Sequence, residues 1–407
     1  MKTKVLILGA GPSGLTVGNC LKKKGIYDFI ILEKEEVAGG LCRSVDVDGA
    51  PLDIGGGHFL DVRRPKVTEF LFQFMPKEEW NLFQRDSRIH IGSYLIQHPI
   101  EANIWQFPID KQIEYLKSIS IAGCNLGQQQ PKLFVDWIRW KLGDKIAEDY
   151  MIPYNEKIFC SNLNELGTYW LEKLPNVSFE ETLRSCLEKK AFGSQPGHAE
   201  FFYPKEFGYG ELWLRMARNI EKNIVYAAEV KKIIPSQKKV ITRKGEVYEA
   251  QYIISTIPWG SFEVIDENVQ YVKDRIDKLK YSSIEVKYVN EYLATDAHWI
   301  YYPDSELSYH RILVRQNFVP KSRGYWTETN KERIDGSEID KNAFSYMNEY
   351  AYPLNTIGKN ETMQELIEWA KQYNIWCTGR WGEHQHYNSD LTVERAMDLV
   401  EKIKFLI

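Results

Sequence analysis

The sequence predicts an α/β protein. Three observations support this: an apolar strand near the N-terminus, a glycine-rich turn directly after it, and a second strand that ends in an acidic residue. The first strand, "TKVLIL" (3–8), is the largely apolar run expected of a parallel strand covered on both faces. Residues 13–24 have a helical pattern, and "DFIILEK" (28–34) has the pattern of the second strand. This order of elements is typical of a Rossmann-like domain.

The turn between the first strand and the helix, "GAGPSG" (9–14), has the spacing G-x-G-x-x-G. Its first glycine permits a tight turn, its second lets the backbone approach a pyrophosphate at the helix N-terminus, and its third lets the helix pack closely on the strand. An acidic residue about 20 positions further on would accept hydrogen bonds from a ribose. The turn and this acid therefore predict a dinucleotide site. The residues assigned to it are Gly9, Gly11, Ser13, Gly14 and Glu33.

The composition limits the remaining possibilities. A chain of 407 residues is long enough for two or three domains. Its formal net charge of −4 argues against a nucleic-acid-binding surface. The six cysteines are scattered, without a C-x-x-C pair or metal-ligand spacing, which predicts reduced thiols, a cytoplasmic location and no metal site. We expect no membrane span, because no apolar run reaches the necessary length.

Two further glycine patches indicate the cofactor. "EVAGGLCRS" (36–44) and "DIGGGHF" (53–59) resemble elements of the glutathione-reductase-type FAD proteins, in the branch that holds amine oxidases, protoporphyrinogen oxidases and UDP-galactopyranose mutases. The resemblance implies FAD, with the second patch passing the flavin ring so closely that a Cβ would clash. The residues it assigns to the cofactor or its edge are Gly40, Arg43, Gly56, Gly57 and His58.

The rest of the chain narrows the resemblance to the UDP-galactopyranose mutase family. Segments similar to those of the mutases follow one another in the same order over nearly the whole chain: 134–159, 298–320, "AYPLN" (351–355) and 375–403. The last segment resembles the strand, turn and helix that close over FAD in that family, which implies cofactor roles for Arg380 and Asp390. The substrate-binding residues implied are Asn103, Tyr154, Phe159, Tyr301, Asn317, Tyr352 and His386.

The resemblance implies an isomerase that interconverts the pyranose and furanose forms of a nucleotide-diphosphate sugar, UDP-galactose above all, for cell-surface polysaccharide synthesis. N5 of reduced FAD would attack the anomeric carbon, so NAD(P)H or another reductant would activate the enzyme without being consumed in turnover. Arg311 and Lys173 would stabilise the leaving diphosphate, and with His58 they are the implied catalytic residues. The sugar, the base and the oligomeric state, including a homodimer, stay open.

Three positions depart from the family pattern. Lys173 stands where the mutases usually carry an arginine, Phe159 where bacterial members have a tryptophan, and His386 where a tyrosine is expected. These departures leave the nucleotide and the sugar undetermined. An alternative function is a flavin oxidase or desaturase of the amine-oxidase branch, which shares the FAD motifs but would have an apolar or caged pocket in place of the diphosphate cations. A third is a non-catalytic FAD-binding relative.

The expected domain organisation follows from the order of these motifs. We expect a discontinuous FAD-binding domain formed by residues 1–85, 200–260 and 370–407. A mainly helical substrate domain is expected at 100–195, and an antiparallel, substrate-facing sheet at 265–365.

Overall fold

A computed structural model describes residues 1–171, 174–193, 199–319, 321–334, 343–404 and 406. The helices are α1 (Pro12–Lys23), α2 (Pro65–Leu71), α3 (Ile100–Asn103), α4 (Ile109–Ser120), α5 (Phe134–Ile146), α6 (Ile152–Phe159), α7 (Phe179–Glu188), α8 (Gly210–Asn219), α9 (Val269–Ile276), α10 (Lys359–Gln372), α11 (Gly379–Gly382) and α12 (Ser389–Ile403). The strands are β1 (Lys2–Leu8), β2 (Phe29–Leu32), β3 (Ser44–Val47), β4 (Ala50–Asp53), β5 (Leu60–Asp61), β6 (Trp80–Gln84), β7 (Ser87–Ile91), β8 (Tyr94–Gln97), β9 (Glu200–Pro204), β10 (Ile224–Val225), β11 (Val230–Ile234), β12 (Lys239–Thr242), β13 (Val247–Ser255), β14 (Glu263–Val264), β15 (Tyr281–Val289), β16 (Trp299–Tyr301), β17 (Arg311–Leu313), β18 (Tyr325–Asn330), β19 (Ser345–Pro353) and β20 (Ile375–Cys377).

An eight-stranded sheet forms the nucleotide-binding half of the molecule. Its strand order is β10-β2-β1-β13-β12-β11-β14, with β20 also paired to β13. The pairs β10–β2, β2–β1, β1–β13 and β13–β20 are parallel. Val5 to Leu8 of β1 are completely buried, as expected for a strand covered on both faces. The strand, turn and helix expected at the N-terminus are present, and the α/β, Rossmann-like fold class is confirmed.

A seven-stranded sheet faces this half, in the order β19-β15-β18-β17-β16-β7-β8. Its pairs are antiparallel except β16–β7. The strands from Tyr281 to Pro353 lie in the segment where an antiparallel sheet was expected, and β7 and β8 extend that sheet with residues 87–97. The sheet therefore draws on two distant parts of the chain: Tyr301 on β16 pairs with Arg311 on β17 on one side and with Ile89 on β7 on the other.

Helices α3 to α7 occupy the sequence between these contributions. Ser178 caps α7 in a reciprocal capping box with Glu181, which explains why that helix begins at Phe179. Helix α5 and the turn after α6 pack onto the main hydrophobic core through residues such as Phe134, Ile138 and Leu163. The domain boundaries given above stay a prediction.

Candidate functional site

A cleft of about 580 Å³ opens at the carboxyl ends of β1 and β2. In open α/β sheets this is the edge at which ligands bind. The predicted dinucleotide residues Gly9, Gly11, Ser13 and Glu33 line it. The lining also includes His58, Arg380, Tyr387, Ser389 and Thr392.

The three glycines of the first turn differ in what lies next to them. Gly9 has φ +97°, and an added Cβ would lie 2.7 Å from Thr256 Oγ1; a Cβ on Gly14 would overlap the Gly9 carbonyl oxygen. These two glycines are therefore required by the protein's own packing. Gly11 differs, since a Cβ there would meet only Gly40 Cα, at 3.7 Å. The space beside Gly11 belongs to the cleft, which fits a cofactor passing the N-terminus of α1.

Glu33 braces this turn. Its side chain is 5% exposed and accepts hydrogen bonds from the backbone N–H groups of Ala10 (2.7 Å) and Glu35 (3.0 Å). Burial raises the pKa of Glu33, and these two hydrogen bonds oppose that shift. The carboxylate also faces the cleft, so the predicted contact with a ribose stays compatible with the geometry.

Arg43, from the glycine patch at 36–44, lines the cleft. Its Nε donates to the Gly40 carbonyl (3.0 Å), and its guanidinium donates to the Tyr346 hydroxyl (2.6 Å) on β19 of the other sheet. Gly40 itself has φ +54°, a conformation that favours glycine. The "GG-x-x-R" patch thus links the two halves of the molecule alongside the cleft.

The glycine triplet at 55–57 packs against protein atoms. A Cβ on Gly55 would overlap the Leu41 carbonyl oxygen, and one on Gly57 would overlap the Leu313 side chain. Gly56 has φ +87°, and its Cβ would lie 2.6 Å from Glu328 Oε1. The sequence interpretation attributed these glycines to a flavin ring, whereas packing within the chain is sufficient to require them. Their predicted cofactor contacts stay a prediction.

His58 lies where this cleft meets a second cavity. Its Nδ1 is 3.2 Å from the Gly56 carbonyl oxygen. Burial, followed by the nearby charge of Arg380, lowers the pKa of His58 to about 4. The imidazole is therefore neutral at neutral pH. Because a carbonyl oxygen can only accept a hydrogen bond, the contact with Gly56 places the proton on Nδ1.

The second cavity, of about 190 Å³, shares His58, Arg380 and Ser389 with the cleft. Four of the predicted catalytic or substrate residues line it as well: Tyr301, Arg311, Tyr352 and His386. Tyr352 and His386 contact each other, with ring centroids 4.9 Å apart. The remaining lining includes an aromatic wall of Phe59, Phe201 and Trp299. The structure thus brings residues from six separate segments of the chain to one small, partly polar chamber.

Arg311 points into this cavity from β17. Its guanidinium forms an ion pair with Glu328 on the neighbouring strand β18 and donates to the Tyr352 hydroxyl (3.3 Å), while its buried Nε has no partner among the described residues. Burial works to lower the pKa of Arg311, but the Glu328 carboxylate raises it well above the ordinary value. A permanently charged guanidinium with an unused donor suits an anionic ligand.

Glu328 is a central residue that sequence reasoning missed. It is 1% exposed, pairs with Arg311, lies 3.7 Å from His310 Nε2, and accepts the Gly57 N–H at 3.2 Å. Although burial raises the pKa of Glu328, the Arg311 charge and His310 lower it to about 2. It thereby couples the loop before His58 to the predicted diphosphate arginine. No motif surrounds Glu328; the only signal was the alternation of "YWTETN" (325–330), which places it on the same strand face as Trp326.

Arg85 is the second residue that sequence reasoning missed. It lines the second cavity, where it donates to the Tyr301 hydroxyl (2.7 Å) and to Ser87 Oγ (3.2 Å). Its guanidinium also lies 4.5 Å from the centroid of Trp299. The sequence around it, "FQRDSR", contains no motif, so only the pairing of β7 with β16 reveals its place.

Arg380 completes a set of three guanidinium groups on the second cavity. Its Nε donates to the Tyr387 carbonyl (2.9 Å) and its Nη1 to the Ala351 carbonyl (3.1 Å). Burial lowers the pKa of Arg380. Together with Arg85 and Arg311 it places three guanidinium groups on the lining of this cavity.

The remaining predicted residues lie away from both cavity linings in the described structure. Asn103 donates to the Pro99 carbonyl (2.9 Å), Asn317 donates to the Thr295 and Ala297 carbonyls (2.8 and 2.7 Å), and Asp390 pairs with Arg64. Tyr154 packs behind the second cavity, 5.2 Å from the ring of Tyr301. Their assigned ligand roles stay predictions, as do those of Gly14, Phe159 at the end of α6, and Lys173, which lies outside the described residues.

Comparisons with known proteins agree with this architecture. Residues 7–74 match the family of NAD(P)-binding Rossmann-like domains. A crystal structure of reduced UDP-galactopyranose mutase superimposes with a TM-score of 0.90 at 22% identity, covering 100% of this chain and 95% of the mutase. The chain has the fold of a UDP-galactopyranose mutase. A proposed protoporphyrinogen oxidase from Exiguobacterium sp. 255-15 is less similar, with a TM-score of 0.73 and 15% identity over 100% of this chain and 99% of the other.

Sequence relatives cover only part of the chain. An uncharacterized protein in the nifH2 3′ region of Methanothermococcus thermolithotrophicus is 48% identical over 52 residues, which are 13% of this chain and 49% of that protein. The match therefore spans about half the length of this relative. In the described residues, no helix has both the length and the apolarity needed to cross a membrane, and no group of acidic, histidine or cysteine side chains is arranged to hold a metal ion.

Proposed function

We propose that this chain is an FAD-dependent mutase that interconverts the pyranose and furanose forms of a nucleotide-diphosphate sugar, with UDP-galactose as the first substrate to test. The observation that supports this most is the junction of the two cavities. A cleft with a dinucleotide turn meets, at His58 and Arg380, a small chamber lined by Arg85 and Arg311. A cofactor in the cleft would thus end where an anionic substrate would bind.

The cleft fits FAD by its shape. The backbone turn at Gly9 and Gly11 and the N-terminus of α1 would hold the pyrophosphate, Glu33 would face the adenosine ribose, and the part beside His58 would take the ring system. Reduced FAD supplies a nucleophile for sugar carbon in the reaction we propose. NAD(P)H or another reductant would generate that form.

Residues that line the second cavity would bind and stabilise the negative charge of the substrate. Arg311 and Arg85 would bind diphosphate oxygens, whose negative charge increases as the anomeric bond to phosphate breaks. Burial raises the pKa of Tyr352, so its hydroxyl keeps its proton and can donate to the same oxygens. Lys173, which lies outside the described residues, stays a predicted further cation.

His58 would act as a neutral group at the meeting point of the cavities. With its pKa lowered to about 4, it carries no charge that would compete with the arginines for a diphosphate. The aromatic wall of Phe59, Phe201 and Trp299 would limit the access of water to the reacting carbon. Orientation and exclusion of water, rather than proton transfer by His58, are therefore the functions we assign to this wall and this imidazole.

The charge of the second cavity favours a mutase over an oxidase or desaturase of the same fold. Three guanidinium groups in a chamber of about 190 Å³ suit a diphosphate, whereas an amine or apolar substrate would be poorly accommodated there. The nucleotide base and the sugar are not specified by these contacts.

A product assay tests the proposal. Dithionite-reduced, FAD-loaded protein is incubated anaerobically with UDP-, dTDP- and GDP-hexopyranoses, and products are separated by HPLC. We expect a furanose product from at least one nucleotide sugar, with reduced protein only and no net consumption of reductant. In a parallel incubation in air with NAD(P)H as the reductant, release of peroxide or stoichiometric oxidation of NAD(P)H with loss of substrate would contradict the mutase and support an oxidase.

A further inference from the structure

Helix α10 begins with a buried lysine that belongs to neither cavity. Lys359 is 2% exposed, although lysine is seldom buried without partners. Its Nζ donates to Asn355 Oδ1 (2.8 Å), to the His384 carbonyl (3.0 Å) and to Gln385 Oε1 (2.9 Å). These hydrogen bonds compensate for the hydration that the ammonium loses on burial. They also connect the segment at Asn355 to the segment at His384 and Gln385.

The acceptors of Lys359 lie on the two segments that form one wall of the second cavity. Asn355 follows Tyr352 by three residues, and Gln385 directly precedes His386. Tyr352 and His386 line the cavity and contact each other through their rings. The Lys359 ammonium therefore connects the segment that carries Tyr352 to the segment that carries His386.

The turn before His386 also carries Arg380. The Gln385 N–H donates to the Arg380 carbonyl (2.8 Å), and Arg380 Nε donates back to the Tyr387 carbonyl (2.9 Å). His384 Nε2 lies 3.0 Å from the Lys280 carbonyl, which attaches the turn to the start of β15. Movement of residues 384–386 would thus change the placement of both Arg380 and His386.

We infer that Lys359 is a positioning residue for the second cavity. It fixes Tyr352 and His386 relative to each other and to Arg380, without contacting a ligand itself. Its effect on turnover rests on the proposed function, whereas its effect on the 384–386 turn does not. Loss of the ammonium would loosen the wall of the cavity while leaving the dinucleotide cleft at Gly9, Gly11 and Glu33 intact.

Three variants separate positioning from general stability. Lys359→Met keeps the length of the side chain and removes its donors, and Lys359→Arg keeps a charged donor. Leu366→Ala is the matched control, because Leu366 is fully buried on the same helix but lines neither cavity. The melting temperature of each variant is recorded with FAD bound. The hydrogen-exchange and turnover changes of the variants can then be compared in relation to their loss of stability.

Hydrogen exchange measured by mass spectrometry tests the inference without any assumption about catalysis. Lys359→Met should accelerate amide exchange about tenfold in peptides that cover 350–356 and 379–388, as expected when hydrogen bonds to a charged donor are lost. Lys359→Arg should recover most of the protection, and Leu366→Ala should accelerate exchange chiefly within α10. Unchanged exchange in the two peptides, or the same pattern in Lys359→Met and Leu366→Ala, would overturn the inference.

A double-mutant cycle tests the functional consequence. Lys359→Met should lower kcat about tenfold in the parent protein but by less than about twofold when combined with His386→Ala, because a residue that acts through His386 has nothing left to position. FAD content should not change. Additive effects would contradict the inference even if the protein is a mutase. If no nucleotide sugar is converted, the exchange data alone decide the role of Lys359, and the failure belongs to the proposed function.

Discussion

The dinucleotide cleft and the second cavity are built by different means. The dinucleotide cleft is formed mostly by backbone: glycine turns at 9–14 and 39–40 and the N-terminus of α1. The second cavity is formed by side chains from distant strands and loops, among them Arg85, Arg311 and His386. A backbone site needs particular residues at fixed spacing, so it leaves a motif, whereas a side-chain site requires only that the fold bring the residues together.

The largest effect should come from the packing glycine of the cleft. Gly14→Ala places a Cβ onto the Gly9 carbonyl oxygen, so we expect no folded protein, or protein that melts far below the parent, as judged by circular dichroism. Gly11→Ala is the matched control: its φ of −76° suits alanine and its Cβ meets no protein atom closer than 3.7 Å. Its apoprotein should melt close to the apoprotein of the parent, but it should fail to bind FAD. Full FAD content in Gly11→Ala would show that the cofactor does not pass this turn.

Removal of Arg311 tests the second cavity by itself. Arg311→Ala should lower turnover of a nucleotide sugar by about two to three orders of magnitude, the usual loss for a charge-stabilising donor, while FAD content stays normal. Because Glu328 would be left buried and unpaired, the same change should cost about 3–5 kcal/mol of unfolding free energy. Arg311→Lys keeps the charge and should restore most of the stability but not the turnover. Parent-like turnover in Arg311→Ala would mean that the diphosphate binds elsewhere.

The ion pair of Arg311 with Glu328 predicts a pH-dependent stability. The pKa of Glu328 is about 2 in the folded protein and lies near 4.5 when unfolded, so its ionised form contributes stability above pH 4.5 that is lost as the pH falls toward 2. Glu328→Gln should therefore destabilise the protein strongly at pH 7 and much less at pH 3. Urea unfolding at both pH values measures the difference. An equal effect at both would show that the carboxylate's charge does not matter.

A smaller effect concerns the buried histidines. Burial lowers the pKa of His58, His298 and His384 to about 4. Because the unfolded state binds protons near pH 6.5 and the native state does not, stability should be greatest above that value and decline between about pH 6.5 and 4. Urea midpoints in this window should fall less in His384→Gln than in the parent. Equal slopes in the two proteins would contradict the lowered pKa of His384.

The sequence predicted the cleft better than the second cavity. The strand, glycine turn and acid at Glu33 are local, and the structure places them together as expected. Arg311 was identified through the resemblance of residues 298–320 to a segment of the mutases. Glu328 and Arg85 were missed because their importance arises from pairing between β17 and β18 and between β7 and β16, which no local pattern encodes. The glycine triplet was located, but the atoms that exclude a Cβ there belong to Leu41, Glu328 and Leu313.

The most direct test of the account is whether a nucleoside diphosphate binds beside the cofactor in the second cavity. UDP is titrated into FAD-loaded protein while the visible spectrum of the flavin is recorded, for the parent, for Arg85→Ala and for Lys173→Ala. We predict a saturable change of the flavin spectrum in the parent and a Kd at least about tenfold weaker in Arg85→Ala, since a charged hydrogen-bond donor to phosphate is lost. The Kd of Lys173→Ala shows whether Lys173 contributes to the affinity for UDP in addition to the arginines. An unperturbed flavin spectrum with UDP, dTDP and GDP alike, or the same Kd in Arg85→Ala as in the parent, would contradict the account.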